Sequence, residues 1–170
     1  MDAYLDIETT GLSRYHDQIT VIGIGRCPAD GMDVVHLYDS TLTAIHLNES
    51  LAAVSSLYTY NGRRFDLPFI NEKLGVDLEN RLDHHDLMFD CWNANLMGGL
   101  KAVERILNIP RELVDIDGLE AIDLWYRYKN HGDGHALRTL LDYNKEDVVN
   151  LSRLKDKLRP GMSNQGFSQP

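Results

Sequence analysis

Four carboxylates and one phenol, spread over three distant segments, set the strongest demand on any fold this chain adopts. Asp6 and Glu8 lie in YLDIETTGL, Asp66 in YNGRRFDLP, and Tyr143 and Asp147 in YNKED. Ala3 to Ile7 reads as a short apolar strand bounded by Thr9, Thr10 and Gly11. Side chains alternate along a strand, so Asp6 and Glu8 share a face and Ile7 enters the opposite layer. Two carboxylates side by side repel each other unless a proton or a cation sits between them. Oxygen-only ligands of this kind suit Mg²⁺ or Mn²⁺. The plain alternative is a polar strand end entering a turn.

The other two acidic segments also admit two readings each. Asp66 follows a predicted strand and the Asn61-Gly62 turn and sits at the start of a predicted helix, where Asp is a common N-cap. Tyr143 and Asp147 are four residues apart in a predicted helix and so lie one turn apart on one face. Leucines 140, 151 and 154 lie near that face, which points it inward. An inward Asp needs a partner, and a Tyr–Asp hydrogen bond or an Arg salt bridge would serve as well as a metal. Lys145 and Glu146 read as solvent-side. The pair His84-His85 is a poor zinc chelate, because adjacent strand residues face opposite ways.

A chain of 170 residues favours one domain, and 43% apolar residues suffice for a full core. The expected domain spans 1–160, with a polar Gly/Pro/Ser-rich tail over 161–170. The first strand starts without a basic lead-in, which predicts no secretory leader, and no apolar run reaches membrane-spanning length. Cys27 and Cys91 lack CxxC spacing, so a cytoplasmic, membrane-free setting with reduced thiols is expected. The net charge of −9 argues against a long duplex footprint. Arg63 and Arg64 beside Asp66, and Lys145 beside Tyr143, leave room for gripping a few nucleotides.

Periodicity predicts strands over Ile19–Gly25, Asp33–Tyr38, Leu57–Tyr60 and His84–Leu87, with a hairpin at CPADGM. It predicts helices over Leu42–Val54, Asp66–Leu74, Leu100–Leu107, Leu119–Tyr128 and Ala136–Leu158. Three hairpin-like strands followed by alternating strands and helices describe an α/β fold. Its mixed β-sheet has about five strands, the first three antiparallel, flanked by α-helices. Active sites of open α/β sheets gather at strand ends, with the Asp6 strand at the centre.

With all three segments in view, the chain resembles the DEDD 3′–5′ exonucleases of the ribonuclease H-like fold, which include the proofreading domains of DNA polymerases. DIETTGL looks like their first motif (DxE), YNGRRFD like the second, and YNKED like the third (YxxxD), the mark of the Tyr-containing subgroup. The His-containing subgroup has His five residues before the last Asp; here that position is Asp142. The stretch from Leu82 to Leu151, with GGLKAVERILNI, is similar to a stand-alone YprB-like branch.

The resemblance implies two divalent ions, Mg²⁺ or Mn²⁺, about 4 Å apart, held by Asp6, Glu8, Asp66 and Asp147. Asp6 would bridge both ions, and Tyr143 would orient the attacking water. Leu12 would wedge against the terminal bases. Thr9, Gly11, Asn61 and Phe65 would complete the nucleotide site. The implied partner is the 3′ end of a single strand, DNA favoured over RNA, and the product a nucleoside 5′-monophosphate. Two rivals stay open: an endonuclease of the same fold, and a catalytically silent module that binds nucleic acid or protein.

Overall fold

The computed structural model describes residues 1–28 and 31–159. The expected CPADGM turn lies partly outside these residues, and the expected tail from Gly161 wholly so. Five strands, β1 (Asp2–Thr9), β2 (Ile19–Arg26), β3 (Asp33–Tyr38), β4 (Ser56–Thr59) and β5 (Asp83–Asp86), form one sheet in the order β3-β2-β1-β4-β5. β1, β2 and β3 pair antiparallel, while β4 and β5 run parallel to β1. The mixed sheet predicted from the sequence is therefore present, with the Asp6 strand at its centre.

The alternation of β1 divides the core. Ala3, Leu5 and Ile7 pack on one side with Phe69 and Ile70 of α2 (Asp66–Leu74) and Leu47 of α1 (Ala44–Ser50). Tyr4 faces the other side, with Val148, Leu151 and Leu154 of α7 (Gly134–Leu158). The remaining helices are α3 (Leu78–Arg81), α4 (Leu87–Asn93), α5 (Leu100–Ile106) and α6 (Gly118–His131). Cys91 is buried and Cys27 half-buried, both as free thiols. No helix among the described residues is long and apolar enough to cross a membrane.

Two glycines set how closely α7 approaches the sheet. Gly23 and Gly25 of β2 pair with Asp6 and Tyr4. A Cβ on Gly25 would stand 2.6 Å from Val148, and one on Gly23 would strike Asn144. Strand glycines of this kind mark close approach of a neighbouring element.

Some elements differ from expectation. In place of the predicted Leu42–Val54 helix stands the shorter α1, preceded by a 3₁₀ turn (Asp39–Thr41) that was not expected. Thr43 caps α1 by accepting from His46 N–H, so the helix starts only after it. Helices α3 and α4 were not expected; Asp77 and Asp86 cap them by accepting from Asn80 N–H and Met88 N–H.

Candidate active site

The site forms where β1 outruns β4. The parallel pairing of these strands covers only Asp2 to Tyr4 on β1. Beyond it the Ile7 N–H has no strand partner and donates to Asp66 Oδ1 at 3.1 Å. Asp66 is thus the first residue of α2, reaching across to β1, and it is not the cap: Phe65 holds the N-cap position without a side-chain bond. The preceding turn is held by Asp86, whose carboxylate accepts from Asn61 N–H (2.8 Å) and Arg63 N–H (3.1 Å). Asn61 adopts a left-handed φ of 63° there, a conformation Asn tolerates.

α7 brings the third segment to the same place. Tyr143, Asn144 and Asp147 are all buried on its sheet-facing side. Oxygen atoms of Asp6, Glu8 and Asp147 lie within 4.8 Å of one another. Asn144 Nδ2 donates to Asp6 Oδ2 (3.0 Å) and, at 3.4 Å, to Glu8 Oε1. Asp66 stands outside this trio, tied to β1.

Ten of the residues singled out in the sequence line one cavity of about 580 Å³: Asp6, Glu8, Thr9, Gly11, Leu12, Asn61, Phe65, Asp66, Tyr143 and Asp147. The structure adds Tyr60 and a wall from the start of α6, formed by Asp117, Gly118, Leu119 and Ile122. Leu12 (87% exposed) and Leu119 (79%) have little packing of their own. Gly11 is needed in its turn, since a Cβ would stand 2.5 Å from the Asp17 carboxylate, which accepts from Ser13 N–H.

The acids are strained electrostatically. Withdrawal from water pushes Asp6 well above the usual carboxylate range, and neighbouring Asp147, Glu8 and Asp66 push it further. Burial likewise raises Glu8, with Asp147 adding to it and the Asn144 hydrogen bond opposing. Asp66 is raised by burial to about 7 against its two backbone hydrogen bonds. Burial takes Asp147 to about 6, with the Arg111 guanidinium holding it down. The Tyr143 phenol is pushed up by burial and by Asp147, so it stays protonated at neutral pH.

A crowd of hard oxygen donors that resists ionisation on its own suits divalent cations, which remove the repulsion. Asp6, Glu8 and Asp147 have the chemistry and the proximity to hold one such ion, with Asp66 at the margin for another.

The cations near the acids are not the expected ones. Arg63 pairs with Glu79 at 3.0 Å, and Arg64 stacks on Phe89 and Trp92. Lys145 is exposed and borders a second cavity with Arg138. The cations at the site are Arg111, bound to Asp147, and Lys101, whose Nζ lies 4.7 Å from the centre of the Tyr143 ring. Glu146, expected in solvent, accepts from Glu112 and Leu113 N–H and fastens the Arg111 loop to α7. The glycines in ITVIGIG signal a close neighbour of β2, though not that it is Asn144. Arg111 carries no such signal. His84 Nε2 pairs with Thr59 Oγ1, and His85 Nε2 with Asp83.

Among solved structures, the family B DNA polymerase of the hyperthermophilic archaeon Pyrobaculum calidifontis matches 92% of this chain at 17% identity and a TM-score of 0.69. The chain spans about a quarter of that polymerase, 24% of its length. Brucella melitensis NrnC with bound Mg²⁺ matches 92% of this chain and 71% of its own at 20% identity and a TM-score of 0.63. NrnC bound to pGG matches the same shares at 21% identity and a TM-score of 0.58. At these identities the likeness is one of fold. No curated protein matches the chain. The family model described as RNase_H superfamily matches residues 3–159. That match covers all three acidic segments and the described sheet but for Asp2, and the chain belongs to the RNase_H superfamily.

Proposed function

We propose that this protein is a metal-dependent nuclease of the DEDDy type, releasing nucleoside 5′-monophosphates from the 3′ end of single-stranded nucleic acid. The observation that carries the reading is the meeting of Asp6, Glu8 and Asp147 oxygens within 4.8 Å, at a cavity that Asp66 and Tyr143 also line. A set of buried carboxylates with raised pKa values in a cleft is a candidate reaction site on physical grounds alone. The family membership and the fold shared with a polymerase and with NrnC, one structure of which is bound to pGG, support a nucleic-acid substrate.

The chain's own residues divide the work. Asp6, Glu8 and Asp147 would hold a divalent ion, and Asp66 a second. Bound there, Mg²⁺ or Mn²⁺ would acidify water and screen the charge of the scissile phosphate. The Tyr143 hydroxyl, protonated and buried, donates a hydrogen bond and orients the nucleophile; it is no base at neutral pH. Leu12, exposed at the rim, offers an apolar blade to the terminal base. Phe65 and Asn61 line the far wall. A 3′ end fits a cavity of this size better than a long duplex fits a chain of net charge −9.

The test is a time course on a 5′-labelled single-stranded DNA oligonucleotide and its RNA twin, with Mg²⁺, Mn²⁺ or EDTA, beside Asp6→Ala. The expected result is a metal-dependent ladder shortening from the 3′ end, absent in the mutant, with DNA the faster twin. Cleavage of a circular substrate would make the protein an endonuclease. No ladder with either sugar and either metal would leave a binding module.

A further inference from the structure

One buried cation reaches the acid cluster from a loop that the reaction, as described, does not use. Arg111 lies between α5 and α6 with a side chain only 6% exposed. Its Nε donates to Glu104 Oε2 at 2.6 Å and its Nη2 to Glu104 Oε1 at 2.8 Å. The same Nη2 donates to Asp147 Oδ1. Nη1 makes no hydrogen bond among the described residues and lies 3.6 Å from Glu146 Oε2. Glu104, 1% exposed on α5, is fixed in turn by Asn150 Nδ2 of α7 at 2.9 Å. Asn150 Nδ2 also donates to Pro110 O at 3.2 Å, beside Arg111 itself.

The chain of contacts has a direction. Asn150 fixes Glu104, Glu104 grips two nitrogens of the guanidinium, and the planar fork that results ends on one oxygen of Asp147. Asp147 Oδ2 takes no hydrogen bond among the described residues. A structural ion pair does not need to end on a member of the acid cluster, and burying one seldom adds stability. The fork of Nε and Nη2 holds Glu104, and the second hydrogen of Nη2, thereby fixed in direction, anchors Asp147 by Oδ1.

We propose that Arg111 is a positioning residue for metal binding: held by Glu104 and Asn150, it grips Asp147 by Oδ1 and presents Oδ2 to a divalent ion. This rests on the metal-dependent reading above. Partners of metal-ligating carboxylates act in this way, and losing one costs about 10- to 100-fold in metal affinity or activity. Lys cannot reproduce the arrangement, since a single ammonium lacks the rigid Nε and Nη2 pair that holds Glu104 while Nη2 also reaches Asp147.

The experiment uses the full chain as wild type, Arg111→Lys, Arg111→Gln and the double variant Arg111→Gln/Glu104→Gln. The double variant is needed because Arg111→Gln alone leaves Glu104 buried and charged, whereas removing both charges keeps the interior neutral. Mn²⁺ binding is read by calorimetry, folding by thermal melting, and kcat and KM on the single-stranded oligonucleotide. The double variant is expected to melt cooperatively, to bind Mn²⁺ about 10-fold more weakly or worse, and to lose kcat about 10- to 100-fold with KM unchanged. Weaker binding is the telling sign, because the double variant removes one positive and one negative charge and so leaves the net charge around Mn²⁺ unchanged. Arg111→Lys should stay as weak as the double variant.

Unchanged or tighter Mn²⁺ binding in the folded double variant overturns the proposal. So does full recovery with Lys, which would make the charge rather than the fork the active feature. If the wild type shortens the oligonucleotide and the variants match it, this inference alone fails. If the wild type neither binds Mn²⁺ nor cleaves, the nuclease reading fails and this inference falls with it.

Discussion

The side-chain oxygen of Asn144 occupies the space a methyl group on Gly23 would need: a Cβ there would stand 1.9 Å from Asn144 Oδ1. That oxygen is buried and has no hydrogen-bond partner among the described residues. The amide's other end donates to Asp6 and Glu8. The bare backbone of β2 is what lets α7 bring its amide between two carboxylates of β1.

Gly23→Ala should therefore damage the site as well as the fold. Overpacking of this kind costs about 1–3 kcal/mol, read as a lower melting temperature. Turnover should fall further than the melting change explains, because Asn144 must leave the carboxylates. Wild-type turnover in a folded Gly23→Ala protein would mean that the amide's position does not matter.

Asp6→Ala and Asp147→Ala should each cut turnover by about 10³-fold or more, the scale of losing a main electrostatic support of a transition state. The metal-free protein should meanwhile stay folded. For Asp6→Ala its melting temperature should rise, since Asp6 is raised by burial and by three neighbouring carboxylates. Near-normal turnover in both variants would remove these residues from the reaction.

Tyr143→Phe keeps the buried ring and the cation above it but deletes the hydroxyl. An orienting hydrogen bond is a smaller effect than a metal ligand, so turnover should fall about 10- to 100-fold, less than in Asp6→Ala. Because the phenol is pushed above its ordinary value of 10, its loss should leave the pH–rate profile between pH 6 and 9 unchanged in shape. A new or missing limb in that range would make Tyr143 a proton-transfer group.

The sequence revealed what is local and hid what is assembled. Period-two alternation placed Asp6 and Glu8 on one face of β1, and the four-residue spacing placed Tyr143 and Asp147 on one face of α7; both arrangements are present. The bounds of β3 and α2 also agree with the prediction. The partners of those acids were not legible. IPREL reads as a plain loop, and nothing in it says that Arg111 will meet Asp147, because that depends on how α5 packs on α7. Arg63 and Arg64 misled for the converse reason. They are next to Asp66 in sequence, but Asp66 starts a helix and turns inward while they remain exposed on the turn. The four residues of α3 give too few turns for periodicity to show, and α4 follows β5 directly, with no turn residue to mark its start.

Without metal, the stability of the fold should depend on pH through Asp66. Asp66 titrates near 7 in the folded protein, against an ordinary value of 3.8. The folded state thus holds a proton that the unfolded chain has released, so stability falls as pH rises from about 4 to about 7. His36 and His84 work the other way. Burial lowers both below 6.5, so their contribution grows as pH rises toward that value and is fully present above it. Asp66→Asn separates the two effects, because the amide oxygen can still accept from Ile7 N–H and carries no charge. Below about pH 4, where Asp66 is protonated in the folded and the unfolded state alike, the metal-free variant and wild type should melt alike. Their difference should open in the variant's favour as pH rises to 8, and Mn²⁺ should close or reverse it by stabilising only the charged site. A melting difference that stays flat with pH would show that Asp66 is already ionised in the metal-free fold, and that the acids tolerate one another without a cation.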